Sequence, residues 1–473
     1  MTHITANIRQ RSFIDEDVLF DTLAVNRNPE QKLVVDIVEK ARLMEGLSIS
    51  ETAALLQNTD REMDALMFSA ARDIKLAIYG KRMVLFAPLY VSNECSNSCA
   101  YCGFAATNAE LNRKTLSLDE IRQEVQILEE RGHKRLLLVY GEHTRFDADW
   151  YVDTINAVYE TRSGKSGEIR RVNVNLAPLD VNGFKKLRTS GIGTYQCFQE
   201  TYHHETYRKV HLGGRKTDFL WRLFALHRAQ EAGIDDVAMG VLFGLYDYKF
   251  EVLALLAHAA ELEREFGVGP HTISFPRIEP ALGAPLSFQP PYAVDDYDFM
   301  KLVAILRLAV PYTGLILTTR ETADYRRELL RLGVSQLSAG SRTYPGAYQE
   351  AEANLPSKQQ FTIGDTRSLD EVIYDIVTNL GYIPSFCTGC YRLGRTGDHF
   401  MGLAKSAFIH NYCWPNALLT FKEYLMDYAT EATRDAGNKL IENELATITH
   451  TEIKNKLTEG LVRIEAGDRD LFW

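Results

Sequence analysis

The chain has 473 residues, of which 45% are hydrophobic and 25% charged, and its formal net charge is −10. This composition is typical of globular proteins and excludes bulk disorder. The acidic balance argues against a nucleic-acid-binding protein, which normally carries a basic surplus. No apolar run approaches the ~18 residues that suggest a membrane-spanning helix, and the first residues lack the pattern of a secretory signal peptide. We therefore expect a cytoplasmic protein with neither membrane nor nucleic-acid partners.

Residues 1–82 are predicted to form a helical N-terminal extension. Apolar residues recur at helical spacing in LVVDIVEKARLMEG at 33–46, which ends on glycine, a common helix stop. Ser48 and Glu51 then have the spacing of a capping box, which predicts the start of another helix.

Residues 83–345 show an alternation of short apolar runs with longer amphipathic helical stretches. Eight such runs lie at 83–92, 134–141, 170–177, 193–200, 236–244, 271–278, 314–321 and 334–342. Strands that alternate with helices pair in parallel through crossovers. Eight of them predict an α/β fold, a (β/α)8 barrel, with an open doubly wound sheet as the alternative. The remaining residues, 346–473, are predicted to form a mostly helical C-terminal domain, because helical periodicity recurs through them.

Six of the seven cysteines fall into two groups. These groups are Cys95, Cys99 and Cys102 in NECSNSCAYCGF, and Cys387, Cys390 and Cys413 near the C-terminus. In a reducing compartment such clusters favour metal binding or catalysis over disulfides. Cys197 stands alone in an apolar strand, which predicts a buried core thiol.

The first group follows the first predicted strand and has spacings of three and two residues. A structural zinc site usually closes four ligands, yet no fourth cysteine or histidine lies between Leu89 and Cys102. Three thiolates on one loop suit an iron–sulfur cluster that keeps one iron open. Because the C-terminal end of barrel strands is where active sites lie, we expect the chemistry there.

The second group has the pattern Cys387-x2-Cys390-x22-Cys413, again three thiolates rather than four. His399 and His410 lie nearby, so a Cys3His zinc site is an equal local alternative. A second iron–sulfur cluster becomes the favoured reading if the barrel upstream already holds one.

Several stretches of the chain carry a family resemblance. Cys95-x3-Cys99-x-Tyr101-Cys102 resembles the motif of radical S-adenosylmethionine (SAM) enzymes. The wider chain, from about residue 25 to its end, resembles the radical SAM tyrosine lyases, and its terminal cysteines resemble the branch that matures FeFe-hydrogenase. The stretches that carry this likeness are FAPLYVSNECSNSCAYCGF, RRVNVNLA, GIGTYQCFQETYH, GVLFGLYDYKFE, FGVGPHTISFPR, VPYTGLILTTRE, CTGCYRLGRTGDHFM and NYCWPNALLTFKEYL.

The resemblance implies a barrel of radical SAM type with a C-terminal cluster-binding domain, and a two-stage reaction. The open iron of the first 4Fe–4S cluster binds SAM, and the resulting 5′-deoxyadenosyl radical takes hydrogen from the amino group of L-tyrosine. The Cα–Cβ bond then breaks to give p-cresol and dehydroglycine. Near a second 4Fe–4S cluster that carries an extra iron, the fragment becomes carbon monoxide and cyanide. The product is an iron–CO–CN–cysteine unit for the hydrogenase H-cluster.

The resemblance also implies roles for individual residues. Tyr101 lies near the SAM adenine, and Gly141 with Glu142 receives the methionine ammonium. His271 is implied as the ligand of the extra iron. The tyrosine substrate, or the SAM ribose, is implied to contact Arg320, Ser338, Ser341, Gln199 and Glu200. A salt bridge to Glu321 or to another acid on the barrel face is the alternative for Arg320.

The implied partners are L-tyrosine, cysteine as an iron ligand, a flavodoxin or ferredoxin as electron donor, and hydrogenase maturation proteins. Glu279, where the family usually has a basic residue, and Arg342 with Tyr344 depart from its pattern and are expected to face the cavity between the two sites. Two other functions stay open. One is a tyrosine lyase that stops at dehydroglycine, as in the thiamine thiazole pathway, and the other is a non-catalytic iron–sulfur carrier.

Overall fold

The N-terminal residues form helices, as predicted. The structure, a computed structural model, describes residues 11–164, 166–350, 355, 357–397, 402 and 410–473. The first helices are α1 (Glu16–Val25), α2 (Gln31–Arg42), α3 (Ile49–Gln57) and α4 (Arg61–Tyr79). The capping box of Ser48 and Glu51 is present at the start of α3. These helices pack on the outer helices of the barrel and share one continuous hydrophobic core with it.

Eight parallel strands form a closed barrel. They are β1 (Arg82–Ser92), β2 (Arg135–Tyr140), β3 (Arg171–Asn175), β4 (Tyr195–Glu200), β5 (Val237–Val241), β6 (Thr272–Ser274), β7 (Gly314–Leu317) and β8 (Gln336–Ser338). Each strand pairs with the next, and β1 pairs with both β8 and β2. This closure confirms the predicted (β/α)8 barrel and excludes the open sheet.

Helices connect the strands and cover the outside of the barrel. They are α5 (Leu118–Glu130), α6 (Ala148–Glu160), α7 (Val181–Arg188), α8 (His204–Val210), α9 (Phe219–Leu223), α10 (Ala225–Glu231), α11 (Tyr248–Phe266), α12 (Asp296–Ala309) and α13 (Ala323–Arg331). No helix in the described part of the chain is both long and apolar enough to cross a membrane.

The C-terminal residues add a ninth strand to the barrel sheet. After α14 (Leu369–Leu380), β9 (Ile383–Ser385) pairs in parallel with the first residues of β1, before the point where β2 begins to pair. Helices α15 (Gly389–Arg392), α16 (His410–Asp427), α17 (Glu431–Thr447) and α18 (Thr451–Glu465) follow. This strand carries the chain to the second cysteine group at the N-terminal end of the barrel. The domain boundaries at 82/83 and 345/346 stay predictions.

Candidate active site and metal centres

A large cavity opens at the C-terminal ends of the strands. All eight strands, or the residues just after them, contribute to its walls, through Tyr90, Val139, Asn175, Phe198, Leu242, Ser274, Ile316 and Ser338. This is the end of a (β/α)8 barrel at which catalytic groups are found.

The three cysteines of the first group all line this cavity. Burial raises the pKa of the Cys99 thiol to about 12 and that of Cys102 to about 11. A metal that binds such thiols must displace their protons, so binding is coupled to proton release. No histidine or further cysteine lines the cavity within the described residues. The set therefore offers three soft ligands and no fourth.

The end of β2 meets this cysteine loop closely. A side chain at Gly141 would place its Cβ 2.2 Å from the Glu94 carbonyl oxygen, so only glycine fits there. Glu142 accepts a hydrogen bond from Asn97 at 2.9 Å and forms an ion pair with Arg222 at 2.7 Å. Burial raises the pKa of Glu142, but Arg222 and Lys216 outweigh it and hold the pKa below its usual value. Glu142 is thus a half-buried, ionised carboxylate at the cavity wall.

Two other implied residues reach the cavity from different directions. The Tyr101 hydroxyl hydrogen-bonds Nε2 of His211 at 2.8 Å, which fixes the ring against the cavity wall. Glu200 lines the cavity and forms an ion pair with Lys216 at 2.6 Å. Gln199 does not reach it: Gln196, Phe198 and Glu200 alternate into the cavity, so the strand turns Gln199 to the opposite face.

Arg320 lies at the cavity wall without an ion pair among the described residues. Its guanidinium stacks over the Phe361 ring at 3.5 Å, and Nη1 is 3.4 Å from the Thr318 hydroxyl. The Nε atom is buried and has no hydrogen-bond partner. Glu321, the alternative partner expected from the sequence, pairs instead with Arg277. That alternative is therefore wrong, and the guanidinium is available to a ligand.

Residues after β8 complete this wall. Ser338 and Ser341 both line the cavity, and the Ser341 hydroxyl is buried without a hydrogen-bond partner. Glu279 lines the cavity as expected, whereas Arg342 and Tyr344 are not among its lining residues. Tyr344 instead donates a hydrogen bond to Glu350 at 2.8 Å.

A second, smaller cavity lies toward the N-terminal end of the barrel. Cys387, Cys390 and Cys413 line it together with His271. It is stacked under the large cavity, because successive inward-facing residues of the same strands line the two. These pairs are Val84 and Phe86 on β1, Gly314 and Ile316 on β7, and Gln336 and Ser338 on β8.

Charged side chains surround the second cysteine group. A hydrogen bond from the Cys390 thiol, supported by Arg82, lowers the pKa of Cys413. Burial lowers the pKa of His271, so its ring is neutral and can act as a metal ligand. The Tyr391 hydroxyl hydrogen-bonds Nε2 of this ring at 3.0 Å, and Asp236 Oδ1 lies 3.6 Å from Nδ1.

The radical SAM superfamily matches residues 89–258, and the biotin and thiamin synthesis associated domain matches residues 274–383. The 2-iminoacetate synthase of Escherichia coli (strain K12) is 32% identical over 363 residues, which cover 76% of this chain and 92% of that protein. The chain belongs to the radical SAM tyrosine lyase family.

Two solved structures are similar to this tyrosine lyase over nearly all of its chain. A crystal structure of HydG, a maturase of the [FeFe]-hydrogenase, is 49% identical with a TM-score of 0.94, covering 98% of this chain and 100% of that one. The FeFe-hydrogenase maturase HydG from Carboxydothermus hydrogenoformans is 43% identical with a TM-score of 0.81, covering 94% and 97%.

As a radical SAM lyase, the enzyme uses a 4Fe–4S cluster and SAM. The large cavity fits both groups. Three thiols face it from one loop, and the absence of a Cβ at Gly141 leaves room against the cysteine loop. These features agree with a cluster that keeps one iron for a ligand.

Sequence reasoning missed the basic residues of both cavities. Lys216 and Arg222 neutralise the carboxylates of the large cavity, and Arg82 and Arg135 line the second one. The sequence did contain a signal for Arg82 and Arg135. Each of the strands β1, β2 and β3 begins at a basic dipeptide, which is KR at 81–82, KR at 134–135 and RR at 170–171. Three strands of a parallel barrel begin at the same end, so these arginines meet there.

Proposed function

We propose that this tyrosine lyase cleaves L-tyrosine to p-cresol and dehydroglycine in the large cavity and converts the fragment to carbon monoxide and cyanide in the second. The product would be an Fe(CO)(CN) unit for the FeFe-hydrogenase H-cluster. One observation carries the proposal: two sets of three cysteines line two cavities that are stacked in one barrel.

In this proposal Cys95, Cys99 and Cys102 hold the first cluster. The reduction of SAM there supplies the 5′-deoxyadenosyl radical that takes hydrogen from the substrate. Glu142, kept ionised by Arg222, suits the ammonium of the methionine moiety. Tyr101, whose hydroxyl is hydrogen-bonded to His211, is proposed to lie beside the adenine of SAM.

Arg320 is proposed to bind the carboxylate of tyrosine. Arg320 is half-buried, with its Nε atom fully buried, and a guanidinium in such a place is unfavourable until a carboxylate pairs with it. Its planar fork matches that group, and the Ser341 hydroxyl offers a further hydrogen bond from the same wall. Ser338 and Glu200 complete the implied substrate contacts, while Gln199 is placed away from them.

We expect Arg320→Gln to raise the KM for tyrosine about 30-fold, since loss of one partner of a buried charged pair costs 2 kcal/mol or more. SAM cleavage in the absence of tyrosine should stay unchanged. Initial rates of p-cresol formation over a range of tyrosine concentrations measure the effect. Arg122→Gln, an exposed arginine on α5, is the matched control. An unchanged KM in Arg320→Gln would remove Arg320 from the substrate site.

The second cavity is proposed to hold the auxiliary cluster through Cys387, Cys390 and Cys413, with His271 as the ligand of an extra iron. Thiolates are soft ligands that suit iron–sulfur clusters. Arg82 and Arg135 add positive charge beside them, and neither forms an ion pair among the described residues. A set of deprotonated thiols and an anionic cluster would balance that charge. His399, which favoured zinc as the alternative, lies outside the described residues.

The partners that accompany this proposal are cysteine as a ligand of the extra iron, a reduced flavodoxin or ferredoxin, and hydrogenase maturation proteins. The likeness to a maturase of the [FeFe]-hydrogenase, which covers 98% of this chain, supports these partners. Membership of a lyase family removes the third option, a non-catalytic iron–sulfur carrier.

A second candidate is a lyase that stops at dehydroglycine. The likeness to 2-iminoacetate synthase favours it, because 92% of that relative is covered. The match covers only 76% of this chain, however, and leaves the rest without a counterpart in that relative. The three thiols gathered at the second cavity have no role in that shorter reaction.

A product assay tests the proposal. Anaerobically reconstituted enzyme is mixed with dithionite, SAM and tyrosine, and p-cresol, carbon monoxide and cyanide are measured together. All three are expected. Production of p-cresol with neither carbon monoxide nor cyanide would support the shorter reaction instead, and an absence of p-cresol would refute tyrosine as the substrate.

A further inference from the structure

Within the described part of the chain, one carboxylate and one guanidinium of the large cavity form no ion pair. Among its lining residues, Glu142 is paired with Arg222 and Glu200 with Lys216. Glu279, which follows β6, forms no hydrogen bond or ion pair among the described residues, although it lines the cavity.

The neighbouring charges explain why Glu279 and Arg320 remain available. Arg277, two residues before Glu279, is held by Glu321 and by Asp296 at 2.8 Å. The Arg277–Glu321 ion pair links the ends of β6 and β7. It occupies the two side chains that would otherwise neutralise Glu279 and Arg320. Glu279 and Arg320 influence each other's pKa without forming an ion pair. A carboxylate and a guanidinium therefore line the same cavity, and neither forms an ion pair with any residue that the structure describes.

A free α-amino acid has the complementary pattern, with an ammonium and a carboxylate on one carbon atom. We propose that Glu279 accepts the ammonium proton of the bound tyrosine while Arg320 holds its carboxylate. The inference rests on the proposed function, because it assumes tyrosine in the large cavity. The proton moves from the substrate nitrogen to a carboxylate oxygen of Glu279, and no electron is transferred. The neutral amine that remains presents an N–H bond for hydrogen-atom abstraction.

The electrostatic setting of Glu279 supports this role. Burial and Glu321 raise its pKa to about 7, against the lowering effects of Arg320 and Arg277. A base is most effective when its pKa lies near the working pH. A substrate carboxylate on Arg320 would offset the lowering effect of that arginine. The other titratable groups that line the cavity are Glu142, Glu200, Lys216, Arg222, Tyr90, Tyr101, Tyr140, Cys95, Cys99 and Cys102.

Glu279→Gln tests the inference, because it keeps the shape of the side chain and removes the base. We expect single-turnover p-cresol formation at pH 7 to fall about 100-fold, the usual scale of general base catalysis. The cleavage of SAM without tyrosine should not change, which shows that the first cluster is intact. Glu110→Gln, an exposed glutamate in the loop before α5, is the matched control and should behave as the wild type.

The pH profile separates a base from a merely structural residue. Below its pKa of about 7, Glu279 carries a proton and cannot accept another. The wild-type rate should therefore rise through about pH 7 and then level off. The rate of Glu279→Gln should continue to rise toward the pKa of the tyrosine ammonium, where solvent removes the proton.

Two results would overturn the inference. One is a wild-type rate in Glu279→Gln at every pH, and the other is a loss of p-cresol that higher pH does not relieve. A wild type that cleaves SAM but forms no p-cresol would refute the proposed function, and the inference with it. An active wild type with an unaffected variant refutes the inference alone.

Discussion

Cys99→Ala is expected to abolish both 5′-deoxyadenosine and p-cresol formation. Cys99 is the most buried thiol of the first group, with 6% of its surface exposed. Alanine removes one of only three thiols that face the large cavity from the described residues. Two remaining ligands cannot hold a 4Fe–4S cluster that already leaves one iron without protein. The loss should therefore be complete rather than partial.

The measurement combines iron content with the electron paramagnetic resonance spectrum of the reduced protein. The signal of the SAM-binding cluster should vanish, while iron bound by the second cysteine group persists. Cys197→Ala is the matched control, since Cys197 is a buried thiol that does not line either cavity. Retention of 5′-deoxyadenosine formation in Cys99→Ala, at the level of Cys197→Ala, would contradict the assignment of the first group.

Most of the barrel could be predicted from local patterns. The predicted run at 134–141 contains β2 (Arg135–Tyr140), and Ser48 with Glu51 forms the predicted capping box. Such features depend on residues that are close in sequence, so periodicity and cap spacing reveal them. By contrast β9 has three residues, one of them Pro384, and shows no periodicity. Only its pairing with β1 makes it a strand.

The groups that face each cavity were harder to predict than the cysteines. Cysteine spacing is visible because the three ligands share one loop. The partner of Glu142 is Arg222, 80 residues later, and its place depends on how α9 folds against the barrel. Gln199 and Glu200 are adjacent, yet only Glu200 lines the cavity, at a point where the pairing of β4 with β5 shifts register and Glu200 has a positive φ of 73°. The family resemblance implies roles for both residues but does not show this local irregularity of the strand.

The double variant Cys387→Ala/Cys390→Ala is expected to separate the two stages of the proposed reaction. The second cysteine group lines its own cavity, and none of the residues that the structure describes lines both cavities. Effects at sites without shared partners are usually independent to within ~0.5 kcal/mol, so p-cresol formation should stay within about twofold of the wild-type rate. Carbon monoxide and cyanide should fall below detection, because Cys413 alone cannot retain a cluster.

Loss of carbon monoxide with retained p-cresol has a specific physical meaning. It places the cleavage of tyrosine at one end of the barrel and the conversion of its fragment at the other. Cys197→Ala again controls for the loss of a buried thiol. An unchanged yield of carbon monoxide in the double variant would show that the second cysteine group is structural. It would also contradict the conversion of the fragment at the second cavity. Loss of p-cresol as well, with SAM cleavage intact, would show that Cys387 and Cys390 support the tyrosine site itself, against the separation of the two cavities.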